Sequence, residues 1–144
     1  MSKRILNQFV MKKFMKTLFV FTLILLCNSL FSQKFSPVEE IPEGKALVFI
    51  YRPGSMVGAA VHYTVNANDD KVSEYHLRNK SYLIFFAEPG RYTFWAQVSN
   101  TRREVDLDVE AGKTYYVRGD CCEFIIPDLE KAKKEIVKCK LSIK

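Results

Sequence analysis

The chain of 144 residues holds two histidines, one tryptophan, six glycines and four cysteines, and what these few residues fail to do is informative. No two cysteines stand in a Cys-x-x-Cys pair, so zinc and thioredoxin-type readings have no support and no metal site is expected. Around Ser55 the two positions that a nucleophile elbow reserves for glycine hold Pro53 and Val57, so the serine-hydrolase pattern fails. No pair of carboxylates is singled out as a glycosidase couple. A converging set of nucleophile, base and oxyanion donors is missing throughout, and the chain reads as non-catalytic.

A surplus of charge is absent too, once the chain is divided. The whole sequence carries +6, but five of its 22 basic residues (Lys3, Arg4, Lys12, Lys13, Lys16) fall in the first 33 positions, which hold no acid. The other 17 face 16 acidic side chains, a net of +1. The basic footprint of a nucleic-acid binder is therefore not there, and nucleic acid is not an expected partner.

What those first 33 residues do contain is an export signal. Lys12, Lys13 and Lys16 precede the apolar run Leu18 to Leu26, and Cys27-Asn28-Ser29 and Ser32-Gln33 follow. A positive segment, a short apolar segment and small residues at the end make a secretory signal. The run is short against the roughly 20 apolar residues that a spanning helix needs. Cleavage is expected near Ser32 or Gln33, with residues 34–44 as a linker and 45–144 as one domain. Two other readings stay open: an uncut membrane anchor, and a lipid on Cys27, although Leu26 stands where a lipoprotein has a small residue. The start is Met1 or Met11, since residues 1–10 add nothing that a signal needs. The expected location is the periplasm or the outer envelope.

An exported chain permits disulfides. Cys121, Cys122 and Cys139 remain beyond the leader, an odd number that leaves one thiol over. Cys139 with Cys121 or Cys122 is the candidate bridge. A bond between the adjacent pair is strained, and the alternative is three small buried hydrophobes.

The domain reads as β throughout. Lys45 to Arg52 is a buried strand between the turn signals Pro42-Glu43-Gly44 and Pro53-Gly54. Val61 to Val65 and Val72 to Leu77 are expected to form a hairpin across the turn Asn66 to Lys71. Ser81 to Ala87 is apolar on both faces and therefore central. Glu88-Pro89-Gly90-Arg91 suits a type II turn into a partner strand, Tyr92 to Val98. In Arg103 to Glu110, Val105, Leu107 and Val109 alternate with Asp106, Asp108 and Glu110. Thr114 to Gly119 is the last strong strand. About seven closely spaced strands predict an all-β antiparallel sandwich. Asp128 then caps an amphipathic helix whose apolar stripe is Leu129, Ala132 and Ile136, with Lys138 and Lys140 at its end.

The stretch Lys45 to Gly54, the turn Glu88 to Tyr92, and the segment Glu110-Ala111-Gly112-Lys113-Thr114-Tyr115-Tyr116-Val117-Arg118-Gly119 together resemble the domain-of-unknown-function family 2846 (DUF2846) over Lys45 to Leu141. The resemblance implies an exported or envelope-attached β domain, lipid-anchored in many members. It implies no activity and carries over no functional residue.

Three sets of side chains remain as candidates for recognition. The loop Pro53, Gly54, Ser55, Met56, Val57 and Gly58 is small and apolar, and function gathers on such loops. Through it the chain would recognise an envelope protein. Tyr63, Tyr75 and Trp95 would form a glycan platform if they share an exposed plane. His62 and His76 would face each other across the expected hairpin, with no third metal ligand evident. Asp106, Asp108 and Glu110 read as a solvated strand face rather than a calcium set. Arg52 and Arg118 are expected to pair with Glu88, Glu110 or Asp120 at the rim. No cofactor is expected.

Overall fold

The computed structural model describes residues 35, 38 and 40–143. The expected leader, its expected cleavage point and Cys27 lie outside the described residues. Along the chain run β1 (Ala46–Arg52), β2 (Asn66–Ala67), β3 (Asp70–Lys71), β4 (Ser81–Ala87), β5 (Gly90–Val98), β6 (Thr101–Val109), β7 (Thr114–Gly119), β8 (Phe124–Ile125), the helix α1 (Leu129–Ile136) and β9 (Lys140–Leu141). They make two sheets, one in the order β8-β7-β1-β4-β9 and the other β3-β2-β5-β6. The expected sandwich is present, mostly antiparallel, with a single C-terminal helix among the described residues.

Every residue of β1 is buried, and its run of aliphatic and aromatic residues is the reason. Successive side chains of a strand point to opposite faces, so β1 serves two cores. Ala46, Val48 and Ile50 enter the space between the sheets, with Leu83, Phe94, Leu107 and Val117. Leu47, Phe49 and Tyr51 point the other way, into a second cluster with Tyr82, Ala132, Ile136 and Cys139. A strand buried on both faces reads as a continuous hydrophobic run.

α1 covers that outer face. Asp128 caps it as expected, its Oδ1 accepting the Glu130 and Lys131 N–H groups at 3.0 and 3.3 Å. Eight residues are too few to hold a helix alone, so its stability comes from Ala132 and Ile136 on the sheet. Leu129, expected in the apolar stripe, is about half exposed at 49%. Lys138 falls in the turn after the helix and Lys140 begins β9; the last helical turn carries Lys133 and Lys134 instead.

Within the stretch expected as a linker, Phe35, Val38 and Ile41 pack on the outer core, and Phe35 meets Phe49 and Tyr82 edge-on. The structure corrects three expectations. β4 and β5 are not partners. The chain crosses between sheets at Glu88-Pro89, so β4 pairs with β1 and β5 with β6. Gly90, at φ 152°, makes that crossing and opens β5. Pairing is not wholly antiparallel, since β1 lies parallel to β7 and β4 to β9. Val61–Val65 and Val72–Leu77 are not strands: one bridge, Tyr63 to Leu77, is all that joins them as a ladder. The hairpin there is the much shorter β2–β3, turned by Asn68 at φ 53°.

Phe49 stacks on Tyr116 and meets Phe35 and Tyr82 at their edges. Phe49→Ala is expected to lower unfolding stability in urea by about 3–5 kcal/mol. Leu129→Ser, at a half-exposed position, is expected to change it by less than about 0.5 kcal/mol.

Candidate functional site

The last residue of β1 is an arginine with no exposed surface. Arg52 Nη1 donates to the Val61 carbonyl at 2.5 Å and Nη2 to the Gly58 carbonyl at 2.6 Å. Its guanidinium also lies 5.6 Å from the centre of the Tyr63 ring. No carboxylate pairs with it among the described residues, and its Nε has no acceptor. Of the rim ion pairs expected from sequence, that of Arg118 with Asp120 is present and none forms on Arg52 among the described residues. Glu88 takes Lys45 at 3.0 Å, Glu110 takes Lys113 at 2.7 Å, and Arg118 holds Asp120, Glu123 and Glu135 at 3.4–3.5 Å. A charged donor on two carbonyls is among the stronger hydrogen-bond arrangements. Here it fixes the loop that follows β1.

That loop is tied at several points. Ser55 and Asn79 exchange hydrogen bonds, Ser55 N–H to Oδ1 at 3.0 Å and Asn79 Nδ2 to the Ser55 carbonyl at 3.1 Å. The Val57 N–H reaches Ser55 Oγ, and the Val61 N–H reaches the Gly58 carbonyl at 2.9 Å. Gly58 sits at φ 68°, and a Cβ there would stand 3.3 Å from Cys121 Sγ. At the tip of this braced loop Met56 is 97% exposed and Val57 70%.

Beside the loop lies a cleft of about 460 Å³, lined by Arg52, Val57, Arg118, Asp120, Cys121, Cys122 and Glu135 among others. Tyr51, in the outer core, donates to Glu135 Oε2 at 2.7 Å. Burial, then this hydrogen bond to a carboxylate, push the Tyr51 phenol well above its ordinary range. Asp120 Oδ1 accepts the N–H groups of Cys122 and Glu123 at 2.7 and 2.9 Å. All three described cysteines are free. Cys121 packs on the core between the sheets, whereas Cys139 belongs to the outer core, and neither Cys121 nor Cys122 is bonded to it here. Cys139 Sγ instead faces the Arg52 carbonyl at 3.4 Å, and burial pushes its thiol up to about 11. Cys121 and Cys122 have their sulfurs 3.3 Å apart.

The three candidate aromatics do not form an exposed set. Tyr63 is in the core, its hydroxyl on the Asp120 carbonyl at 3.3 Å and its ring near Phe124. Trp95 is half-buried, donates to the Asn68 carbonyl at 2.7 Å, and carries the Arg102 guanidinium 4.2 Å over its ring. Tyr75 is the exposed member. His62 and His76 do meet, with ring centres 5.3 Å apart, in a shallow cleft that Thr64, Asn66, Lys71 and Gln97 also line. His76 Nδ1 is 3.1 Å from Thr64 Oγ1. Asp106 is engaged by Thr93 at 2.7 Å and Arg91 at 3.0 Å, hydrogen bonds that hold its carboxyl below the ordinary range.

Sequence reasoning missed the part that Arg52 plays. The signal was a single arginine closing an otherwise apolar strand ahead of Pro53-Gly54, which fits a rim ion pair equally well. It also missed the gathering of Asp120, Cys121 and Cys122 on one cleft, because adjacent cysteines match no metal spacing.

Arg52→Met keeps the stem and removes the donors. It is expected to cost about 3 kcal/mol of stability and to speed hydrogen exchange at the Val61 amide. Cys121 and Cys122 are expected to alkylate in the native state, and Cys139 only on unfolding. The raised Cys139 thiol also sets a pH dependence. Below pH 9, the ordinary value, both states keep the proton and nothing is lost. Between pH 9 and about 11 the unfolded chain ionises first, so stability falls as pH rises. Cys139→Ala is expected to flatten the first part of that fall in alkaline urea titrations.

Comparison with known proteins places these features in one family. No curated protein and no solved structure matches the chain. A family model described as "Protein of unknown function (DUF2846)" matches residues 42–126. The matched range opens at the turn before β1 and closes just after β8. It takes in Arg52, the braced loop and the cysteine pair, and stops before α1, short of the Leu141 limit read from sequence. With more than half of its length matched in this way, the chain belongs to the DUF2846 family.

Proposed function

We propose that this protein is an exported, non-catalytic component of the cell envelope, in the periplasm or on the outer surface, that acts by binding a protein or another envelope component through the loop 53–61. One observation carries the reading: Met56 and Val57 are 97% and 70% exposed on a loop that a buried guanidinium holds in place. Exposed apolar side chains on a mobile tail signify little. On a preorganised loop they lower the ordering cost of association, and methionine adapts to the surface it meets.

The leader in residues 1–33 supports export, and the near-neutral charge beyond it supports a partner other than nucleic acid. Contact with membrane would come through the leader segment or a lipid on Cys27. The carboxylates about the cleft face Arg118 rather than standing free, which favours binding over acid–base chemistry. A protein surface suits the loop better than a glycan, since Tyr63 is buried and Arg102 covers one face of Trp95.

The test is a photoreactive amino acid at position 56, introduced in the cell that makes the protein, followed by mass spectrometry of the adducts. One or a few defined adducts are expected, falling about tenfold with Val57→Asp. No adduct above that from position 74 would contradict recognition by this loop. Intact mass of the mature protein is expected to begin after Ser32 or Gln33. Native protein found inside the cell with its leader intact would contradict export.

A further inference from the structure

Directly after β7, three consecutive side chains offer soft and hard ligand atoms to one point. A carboxylate oxygen of Asp120 and the sulfurs of Cys121 and Cys122 all lie within 4.8 Å of one another, and the sulfurs are 3.3 Å apart. We propose that Asp120, Cys121 and Cys122 bind one thiophilic divalent cation of the zinc class, with the fourth coordination position open. The inference stands apart from recognition by the neighbouring loop and does not depend on it.

Two thiolates and a carboxylate belong to the ligand chemistry of zinc and its heavier congeners. Zinc–sulfur bonds of about 2.3 Å in a tetrahedron set the sulfurs roughly 3.8 Å apart. From 3.3 Å that is a small torsion of the exposed Cys122 side chain. Each thiol gives its proton to solvent as its metal–sulfur bond forms. The pair is also poorly suited to the competing fate of such sulfurs. Neighbouring Cα atoms across a trans peptide are about 3.8 Å apart, closer than the roughly 4.4 Å at which unstrained disulfides begin. Cys139 belongs to the outer core and is bonded to neither. All three described cysteines are free, which leaves the adjacent sulfurs available as a chelating pair.

An independent observation comes from Arg52. It lines the same cleft, is fully buried, faces no carboxylate and leaves Nε unpartnered. A divalent ion on two thiolates and one carboxylate carries a net charge of −1, which a buried guanidinium would balance. Gly58 allows the approach: a Cβ there would stand 3.3 Å from Cys121 Sγ and 3.4 Å from Arg52 Nη2. Arg118 touches Asp120 at 3.5 Å, a contact that opposes a cation, but Glu123 and Glu135 share its charge.

The full chain, reduced and stripped with chelator, is titrated with cadmium and followed by the ultraviolet sulfur-to-cadmium charge-transfer band, with zinc as competitor. One ion per chain is expected, displaced by zinc. Cys121→Ser and Cys122→Ser are each expected to abolish the band, Asp120→Asn to weaken binding about tenfold or more, and Cys27→Ser to leave it unchanged. Circular dichroism of the metal-free variants separates lost binding from lost folding. No band in the folded native chain, an equal band in folded Cys121→Ser, or undiminished affinity in folded Asp120→Asn would each overturn the site.

Discussion

A guanidinium removed from water costs several kcal/mol unless its N–H groups find acceptors. In this protein the two that matter find main-chain carbonyls, Gly58 and Val61, rather than a carboxylate. Much else follows from that bond pair. It ends β1 in a charged residue that stays inside. It turns the succeeding segment, which carries few large side chains, into a loop of defined shape. It brings Gly58 against Cys121, and so joins the loop to the end of β7. The exposed pair Met56 and Val57 owes its fixed position to this anchor.

The anchor itself depends on β1 being buried on both faces. A two-layer sandwich alone would leave Leu47, Phe49 and Tyr51 in water. α1 and the segment with Phe35, Val38 and Ile41 cover them and make a third layer. That layer sequesters Cys139, whose sulfur sits on the carbonyl of Arg52. The outer core and the loop therefore share a boundary at the end of β1, and a change in one is felt in the other.

Much of this was legible in the residues. The limits of β4 and β7, the alternation of β6, the Asp128 cap and the burial of β1 follow from periodicity and turn chemistry. Partners did not follow. Period-two alternation says which face of a strand is buried and not which strand lies beside it, so Pro89-Gly90 read as a hairpin when it is a crossing between sheets. The same limit hid the parallel pairing of β1 with β7. Between Val61 and Leu77, apolar residues suggested two strands, yet Tyr63, Val65 and Leu77 enter the core from nearly irregular chain, joined by one bridge and a Val72-to-Val65 hydrogen bond. Of the candidate site, the loop was legible from its small residues. The role of Arg52 was not, because nothing local distinguishes an arginine that caps carbonyls from one that meets an acid across the rim.

The central claim is that Arg52 is immobilised inside the protein by the Gly58 and Val61 carbonyls. Arginine side-chain nitrogen NMR on the folded protein at neutral pH tests it directly. Restricted rotation and slow water exchange of the Arg52 Nη protons are predicted, set apart from the exposed Arg91. A single averaged, rapidly exchanging guanidinium signal for Arg52 would contradict the account.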